Sequence, residues 1–199
     1  MTELSGVIPP ATTPFDDNGE IEFDAAARQV DWLIGQSANG VAVGGSTGEG
    51  HTLLAEEGRD LVAAAIEAAA GRVPISAGLI CDSTREAARR GKMVADLGPA
   101  ALQVTPVHYL FRPTDEAMVE HFRTMAGETG QKIILYNVVP WTYLSPALLI
   151  RIMDEVPEVI GVKQSAGDLK LFADLMADVQ PGNLIFPALC PVHSRSNTL

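Results

Sequence analysis

The sequence predicts an α/β protein built from repeated strand–helix units. Short apolar, β-branched runs alternate with longer amphipathic runs along most of the chain. The units recur at intervals of roughly 25–34 residues, which suits parallel strands joined by crossover helices. The turn after the first strand candidate, residues 13–19, lacks the GxGxxG fingerprint that often follows the first strand of an open dinucleotide-binding sheet. We therefore expect a (β/α)₈ TIM barrel rather than a doubly wound open sheet.

Seven runs have the length and composition of buried strands. They share β-branched and aliphatic residues bounded by glycine, proline or polar residues, and they lie at 7–12, 41–43, 73–78, 101–105, 132–136, 159–163 and 184–186. Near-continuous hydrophobicity, rather than alternation, is typical of parallel strands that are covered on both faces.

Six helices are predicted between and after these strands, at 24–36, 54–70, 83 onward, 114–128, 145 onward and 169–179. Two of their starts carry capping residues. Ser83 followed by Glu86 has the capping-box pattern, in which the glutamate reaches back to the cap. Ser145 followed by Pro146 places a cap before a proline at the first helical position.

The end of the chain does not continue this pattern. A (β/α)₈ barrel usually has eight strands and about 250 residues, whereas this chain has 199 residues and stops near its seventh strand. We interpret residues 1–186 as a partial barrel of about six and a half units and residues 187–199 as an irregular, abnormal tail. This interpretation predicts a C-terminally truncated protein with uncovered strand edges and marginal stability.

Composition and charge exclude several classes of partner. A net charge of −11 disfavours nucleic acid and anionic membranes, which attract basic surfaces. No apolar run reaches the roughly 18 residues needed to cross a bilayer, and the first residues lack the features of a signal peptide. The two cysteines form no CxxC pair, and we expect a cytoplasmic protein with reduced thiols.

Polar residues at three predicted strand ends indicate a site, because the carboxyl ends of barrel strands surround the active centre. Lys163 ends the sixth run, and burial there lowers the pKa of an amine and makes it a nucleophile for carbonyl carbons. Alone, such a lysine more often extends into water. Tyr136 ends the neighbouring fifth run and offers a phenol for proton transfer. The glycine-rich turn at 44–50, GGSTGEG, can hold a carboxylate or a phosphate through Ser46, Thr47 and its backbone N–H groups.

These motifs resemble the dihydrodipicolinate synthase / N-acetylneuraminate lyase family of pyruvate-dependent class I aldolases, from about residue 6 to residue 186. The resemblance rests on GSTGE at 45–49, YNV at 136–138, GVKQS at 161–165, VPISAG at 73–78 and STREA at 83–87.

The resemblance implies a lyase that forms a Schiff base between Lys163 and pyruvate or a related 2-oxo acid. Tyr136 would relay protons, Ser46 and Thr47 would bind the substrate carboxylate, and Ser46 would join the hydroxyl relay. Tyr109 matches a tyrosine that reaches into a neighbouring subunit of a homo-oligomer. The family performs aldol condensation or cleavage with an aldehyde partner and needs no metal and no organic cofactor.

One departure from the family pattern bears on the second substrate. Dihydrodipicolinate synthases usually carry an arginine shortly after the YNV motif, and Trp141 stands at that position here. An indole cannot make a bidentate bond to a carboxylate, which disfavours aspartate semialdehyde and favours a sugar-acid or another aldehyde. The serine at position 46, where the family more often has threonine, points the same way.

Two further hypotheses remain open at this stage. The chain could be a truncated, non-catalytic family member or a gene fragment, in which the site residues survive without function. A barrel that binds a phosphorylated substrate through the turn at 44–50 is the third possibility.

Overall fold

A single sheet of six parallel strands organises the protein in the computed structural model, which describes residues 4–188. The strands are β1 Val41–Val43, β2 Ile75–Leu79, β3 Ala101–Val104, β4 Ile133–Asn137, β5 Val159–Gln164 and β6 Leu184–Pro187. The helices are α1 Phe23–Gly35, α2 Ala55–Ala69, α3 Thr84–Ala95, α4 Asp115–Thr129, α5 Pro146–Glu155 and α6 Leu169–Asp178, with a 3₁₀ turn at Pro140–Thr142.

The strands lie side by side in chain order, and all five neighbouring pairs are parallel. The sheet is curled with the helices around it, so the prediction of an incomplete (β/α)₈ barrel is confirmed. Among residues 4–188, β6 pairs only with β5, and the far side of β1 is met only by a bridge from Pro10 to Ala42.

The prediction of a full strand at 7–12 is wrong. Its backbone lies along β1 and forms hydrogen bonds from Ala42 N to Pro9 O (3.0 Å) and from Ala11 N to Ala42 O (2.8 Å). Pro9 and Pro10 have no N–H to donate, so the ladder cannot continue and only one bridge forms. The described sheet therefore has six strands rather than seven.

Serine and threonine caps begin three of the helices. The side chains of Ser83, Thr114 and Ser145 each accept a hydrogen bond from a backbone N–H three residues later. The predicted reach of Glu86 back to Ser83 is wrong, because its carboxylate binds Arg89 and Arg90 instead. These two guanidinium groups lower the pKa of Glu86 to about 2.

Two apolar layers cover the two faces of the sheet. The larger layer lies between the strands and the helices and contains the outward-facing residues of β3 and β4, including Leu102, Val104 and Leu135. The smaller layer lines the inside of the curl around Ala101 and Ile134. Ile134 lines a cavity together with Ser76 and Gln103, so the inner face is only partly apolar.

The predicted boundary at residue 187 falls at the end of β6. Pro187 is the last residue of that strand, and Ala188 N donates to Gln164 O at 2.9 Å. The remainder of the predicted irregular tail, 189–199, lies outside the described residues.

Candidate active site

Three of the predicted strand ends meet inside the curl. Tyr136 on β4 and Lys163 on β5 are direct partners in the sheet register. The turn at 44–50 follows β1 and reaches the same edge. Lys163, Tyr136, Ser46 and Thr47 line one cavity of about 680 Å³, a volume in the range of small-molecule sites.

Lys163 lies half-buried on the inner face with its ammonium beside an aromatic ring. Its Nζ is 4.3 Å from the centroid of the Tyr136 ring. Burial lowers the pKa of Lys163 below its usual 10.5. The tyrosine ring attracts an ammonium, whereas the loss of hydration on burial disfavours the charged form. A larger fraction of Lys163 is therefore the neutral amine at neutral pH than for a surface lysine.

Tyr136 connects the lysine to the glycine-rich turn. Its ring is almost fully buried, and its hydroxyl donates a hydrogen bond to Ser46 Oγ at 3.2 Å. Ser46 is exposed at the rim of the cavity. The three side chains therefore form a row from the amine through the phenol to a hydroxyl that reaches the cavity mouth.

The turn at 44–50 holds its shape because glycine occupies its crowded positions. Gly44 has a φ of +66°, and a Cβ at Gly50 would collide with the carbonyl oxygen of Gly44. Thr13 Oγ1 donates to Gly48 O at 2.6 Å and ties the turn to the N-terminal segment. The turn thereby presents Ser46 and Thr47 to the cavity.

Asn137 fixes the backbone next to Tyr136. Its amide donates to Leu144 O (3.2 Å) and to Gln164 Oε1 (3.0 Å) and accepts from Leu144 N (3.0 Å), all in the interior. These bonds join the ends of β4 and β5 to the segment that leads into α5. The YNV motif alone does not predict this role of Asn137, because the role depends on contacts with Leu144 and Gln164 that no local pattern reveals.

Tyr109 is not brought to the cavity of its own chain. It lies in the loop after β3 with 73% of its surface exposed, next to the exposed Leu110 and Phe111. Trp141 is 62% exposed, and its indole N–H donates to His108 O (2.6 Å) and Tyr109 O (3.2 Å). Trp141 therefore contacts the backbone of this loop and does not line the cavity.

Two histidines near this loop bond to neighbouring polar groups. His121 is buried on α4 and makes hydrogen bonds with Thr84 Oγ1 (2.9 Å) and Thr105 O (3.2 Å). Burial lowers the pKa of His121 to about 4, so the ring is neutral at pH 7. His108, in the loop after β3, has its Nε2 3.3 Å from Oδ1 of Asp82, an exposed residue between β2 and α3.

Sequence reasoning missed a polar pair inside the cavity. Gln103 on β3 and Ser76 on β2 both line it, and Gln103 Nε2 donates to Ser76 Oγ at 2.7 Å. The available signal was a polar residue inside each of two otherwise apolar strand runs. Within residues 4–188, no group of three or more histidine, cysteine or acidic side chains could hold a metal ion.

None of the helices between residues 4 and 188 is long and apolar enough to cross a membrane.

Comparison with known proteins identifies similar chains. Residues 3–188 match the family described as the dihydrodipicolinate synthetase family. The chain is 35% identical over 177 residues to the 4-hydroxy-tetrahydrodipicolinate synthase of Oleidesulfovibrio alaskensis, covering 87% of this chain and 60% of that protein. It is 33% identical over 169 residues to the enzyme of the same name from Bacillus subtilis, covering 83% and 58%.

Solved structures show the same fold. Dihydrodipicolinate synthase from Aquifex aeolicus superposes with a TM-score of 0.86 at 25% identity, covering 92% of this chain and 62% of that one. YagE, a prophage protein of this family from E. coli K12 solved in complex with pyruvate, gives 0.86 at 25% identity, covering 90% and 62%. The chain spans about 60% of the length of the curated relatives it matches.

Proposed function

The chain belongs to the dihydrodipicolinate synthetase family, and on that premise we propose that it is a lyase of the class I aldolase type. Lys163 forms a Schiff base with pyruvate or a related 2-oxo acid. The observation that carries this proposal is the amine of Lys163, with its lowered pKa, 4.3 Å from the Tyr136 ring centroid in a cavity of substrate size. YagE, which was solved with pyruvate, supports pyruvate as the first substrate.

Imine formation needs a neutral amine and a path for protons. Lys163 Nζ attacks the keto carbon, and a C–N bond forms as the C=O π bond breaks. The nitrogen then loses a proton, and the oxygen takes one to become the carbinolamine hydroxyl. That hydroxyl leaves as water after a second protonation, and the iminium remains on Lys163. We assign these proton transfers to Tyr136 and Ser46, and the hydrogen bond between their hydroxyls supports this assignment.

The carboxylate of the 2-oxo acid belongs at the glycine-rich turn. Ser46 and Thr47 supply hydroxyl donors there, and both line the same cavity as Lys163. Backbone N–H groups of a glycine-rich turn add further donors for an anion. Binding the carboxylate at this turn would hold the keto carbon near the amine, which is the proximity that raises the rate of attack.

The iminium then serves as an electron sink. Loss of a proton from the carbon next to it gives an enamine, and that carbon adds to an aldehyde. A C–C bond forms as the aldehyde C=O π bond breaks, the aldehyde oxygen takes a proton to become a hydroxyl, and the iminium is restored. Hydrolysis of the new imine releases the product and restores Lys163, and the reverse sequence cleaves the same bond. We propose condensation or cleavage of this type, with an aldehyde as the second substrate.

The surroundings of the site favour an aldehyde without a second carboxylate. Lys163 is the only charged side chain among the described residues that line the cavity. Trp141, at the position where dihydrodipicolinate synthases carry an arginine, bonds to the loop at His108 and Tyr109 instead. A second carboxylate would therefore be desolvated without a cationic partner, at a cost of several kcal/mol.

A cytoplasmic homo-oligomer is part of the same proposal. Tyr109 extends into solvent rather than toward its own cavity, which suits a side chain that serves a neighbouring subunit. Cys81 is a buried free thiol, and burial raises its pKa to about 11, so it is kept unreactive in a reducing compartment.

Trapping with borohydride tests the proposal. We expect incubation with pyruvate and borohydride to leave a stable adduct that peptide mapping assigns to Lys163. Omission of pyruvate and replacement of pyruvate by lactate, which has no keto group, are the controls. If the label is absent, or is spread over exposed lysines such as Lys92 and Lys170, the Schiff-base proposal fails and the non-catalytic alternative gains support.

A further inference from the structure

The loop after β3, residues 105–113, is tied to a neighbouring turn by the residue before Tyr109. The side chain of His108 contacts its own loop and also the turn between β2 and α3. Its Nδ1 lies 3.0 Å from Pro106 O, and its Nε2 lies 3.3 Å from Asp82 Oδ1. The His108 side chain is only 15% exposed, so the ring is held among protein groups rather than free in solvent.

The backbone of the same residue joins the loop to a third segment. Trp141, in the 3₁₀ turn after β4, donates its indole N–H to His108 O at 2.6 Å and to Tyr109 O at 3.2 Å. His108 therefore connects the loops that follow β2, β3 and β4. These loops lie at the carboxyl edge of the sheet, where β4 and β5 carry Tyr136 and Lys163.

Both neighbours of the imidazole ring are hydrogen-bond acceptors. Pro106 O is a backbone carbonyl, and the carboxylate of Asp82 has no proton to give when it is ionised. A neutral imidazole has one N–H, so a ring that donates to Pro106 turns the lone pair of Nε2 toward a negative charge. The imidazolium has an N–H on each nitrogen and can bond to both neighbours at once. The observed geometry therefore matches the protonated ring.

Other ionisable groups on the elements that meet at this ring are neutral or already paired. His121 on α4 stays neutral because burial lowers its pKa to about 4. Cys81, next to Asp82, is a neutral thiol because burial raises its pKa to about 11. Glu86 on α3 and Arg112 on the loop are engaged in ion pairs of their own. Between about pH 5 and 8, where an imidazole ordinarily changes its charge, the contact with Asp82 thus depends on the ring.

We propose that His108 is a pH-sensitive clamp for the loop after β3. At the acidic end of that range the imidazolium holds the loop to Asp82, and the exposed tip from Tyr109 to Phe111 keeps the observed arrangement. As the pH rises, the ring loses its proton, the attraction to Asp82 is lost, and the loop opens more often. Since Tyr109 directly follows the clamp, the fraction of chains that present its side chain in this arrangement falls with rising pH.

The clamp can be tested without substrate, so its test does not depend on the proposed lyase function. Thermolysin cleaves before large apolar residues, and the bonds before Leu110 and Phe111 lie in the exposed tip. Cleavage of these bonds in the folded chain is followed by mass spectrometry from pH 5.5 to 8. Each rate is divided by that of a free peptide with the same loop sequence. The ratio removes the pH dependence of the protease and reports the population of the open loop.

We expect the normalised rate of the wild-type chain to rise by about threefold from pH 5.5 to 8, the size of effect that an exposed ion pair allows. In His108→Gln, which has no titrating ring, the rate should stay at the higher level at every pH. Asp82→Asn keeps the ring but removes the charge, and its response should fall below about 1.5-fold. His51→Gln, at an exposed histidine just after the turn at 44–50, is the matched control and should keep the wild-type response. Urea unfolding checks that the variants keep the stability of the wild-type chain.

Three results would overturn the clamp. A wild-type rate that does not change with pH shows that the ring does not hold the loop. A response that persists in His108→Gln assigns the pH dependence to another group. A full response in Asp82→Asn shows that the ring acts without this partner.

Discussion

The strand ends of β4–β5 and the loop after β3, residues 105–113, lie at the same edge of the sheet but differ in what holds them. Tyr136 and Lys163 are partners in the sheet register, and Asn137 ties their backbones to Leu144 and Gln164 in the interior. The loop has exposed side chains from Tyr109 to Phe111 and is held by backbone contacts with Trp141.

The difference indicates which functional groups a single chain can hold in place without a neighbouring subunit. An amine next to a phenol needs fixed geometry, and two adjacent parallel strands provide it. A residue that acts on another subunit must extend beyond the surface of its own chain, and an exposed loop allows this. Changes at the strand ends should therefore affect chemistry in the single chain, and changes in the loop tip should not.

The largest effect is expected from Lys163→Arg. A guanidinium remains charged and cannot form an imine, so pyruvate trapping should fall by more than about a thousandfold. The measurement is the mass of the borohydride adduct on the whole protein. Lys170→Arg, on an exposed lysine paired with Asp174, should leave trapping unchanged, and persistent labelling of Lys163→Arg would show that another amine reacts.

The second-largest effect is a pH dependence of the free energy of unfolding. It arises at His121, which lies at the base of the loop after β3. His121 bonds to Thr105 O at the start of the loop, and its folded pKa is about 4, below the ordinary 6.5. As the pH falls, the imidazole is protonated in the unfolded chain before it is protonated in the folded chain. The contribution of neutral His121 to stability is therefore complete above pH 6.5 and is lost as the pH falls to about 4. The loss amounts to about 3 kcal/mol.

Urea unfolding at a series of pH values measures that contribution. Carboxylates with lowered pKa values, such as Glu86, also lose stabilising interactions in acid, so the difference from a His121→Phe variant isolates the imidazole. The variant should be less stable at pH 7, because Thr105 O loses its partner, but its stability should depend less on pH between 6.5 and 4. Parallel curves for the two proteins would contradict a neutral, buried His121.

The third-largest effect, on the rate of imine formation, is expected from Tyr136→Phe near the end of β4. The ring stays beside Lys163, but the hydroxyl that reaches Ser46 is lost. Loss of a general acid–base group should slow imine formation by about a hundredfold, with little change in the free energy of unfolding. The rate of adduct formation at fixed pyruvate concentration measures this. An unchanged rate would remove the phenol from the proton path.

The repeated strand–helix pattern, the caps and the parallel order were readable from the sequence because each depends on local periodicity or on the residue at a helix start. The first strand was overestimated because composition does not count N–H donors, and Pro9 and Pro10 lack them. Lys163, Tyr136 and the 44–50 turn could be predicted as candidate site residues because each lies at or just after the carboxyl end of a predicted strand. Gln103 and Ser76 were missed because a polar side chain within an apolar run has meaning only when its face is known.

The smallest effect is expected from Tyr109→Phe, a change at the tip of the loop after β3. The hydroxyl lies on a side chain that is 73% exposed and outside the cavity of its own chain, so dilute protein should change by less than about twofold in pyruvate trapping, since a surface substitution of this kind costs little. If Tyr109 serves a neighbouring subunit, the variant should lose activity only at concentrations where sedimentation velocity shows association. A matched titration of wild-type and variant protein separates the two cases. A loss that is the same for the dilute monomer and the associated protein would mean that the loop folds onto its own site, and the contrast between strand ends and loop would not hold.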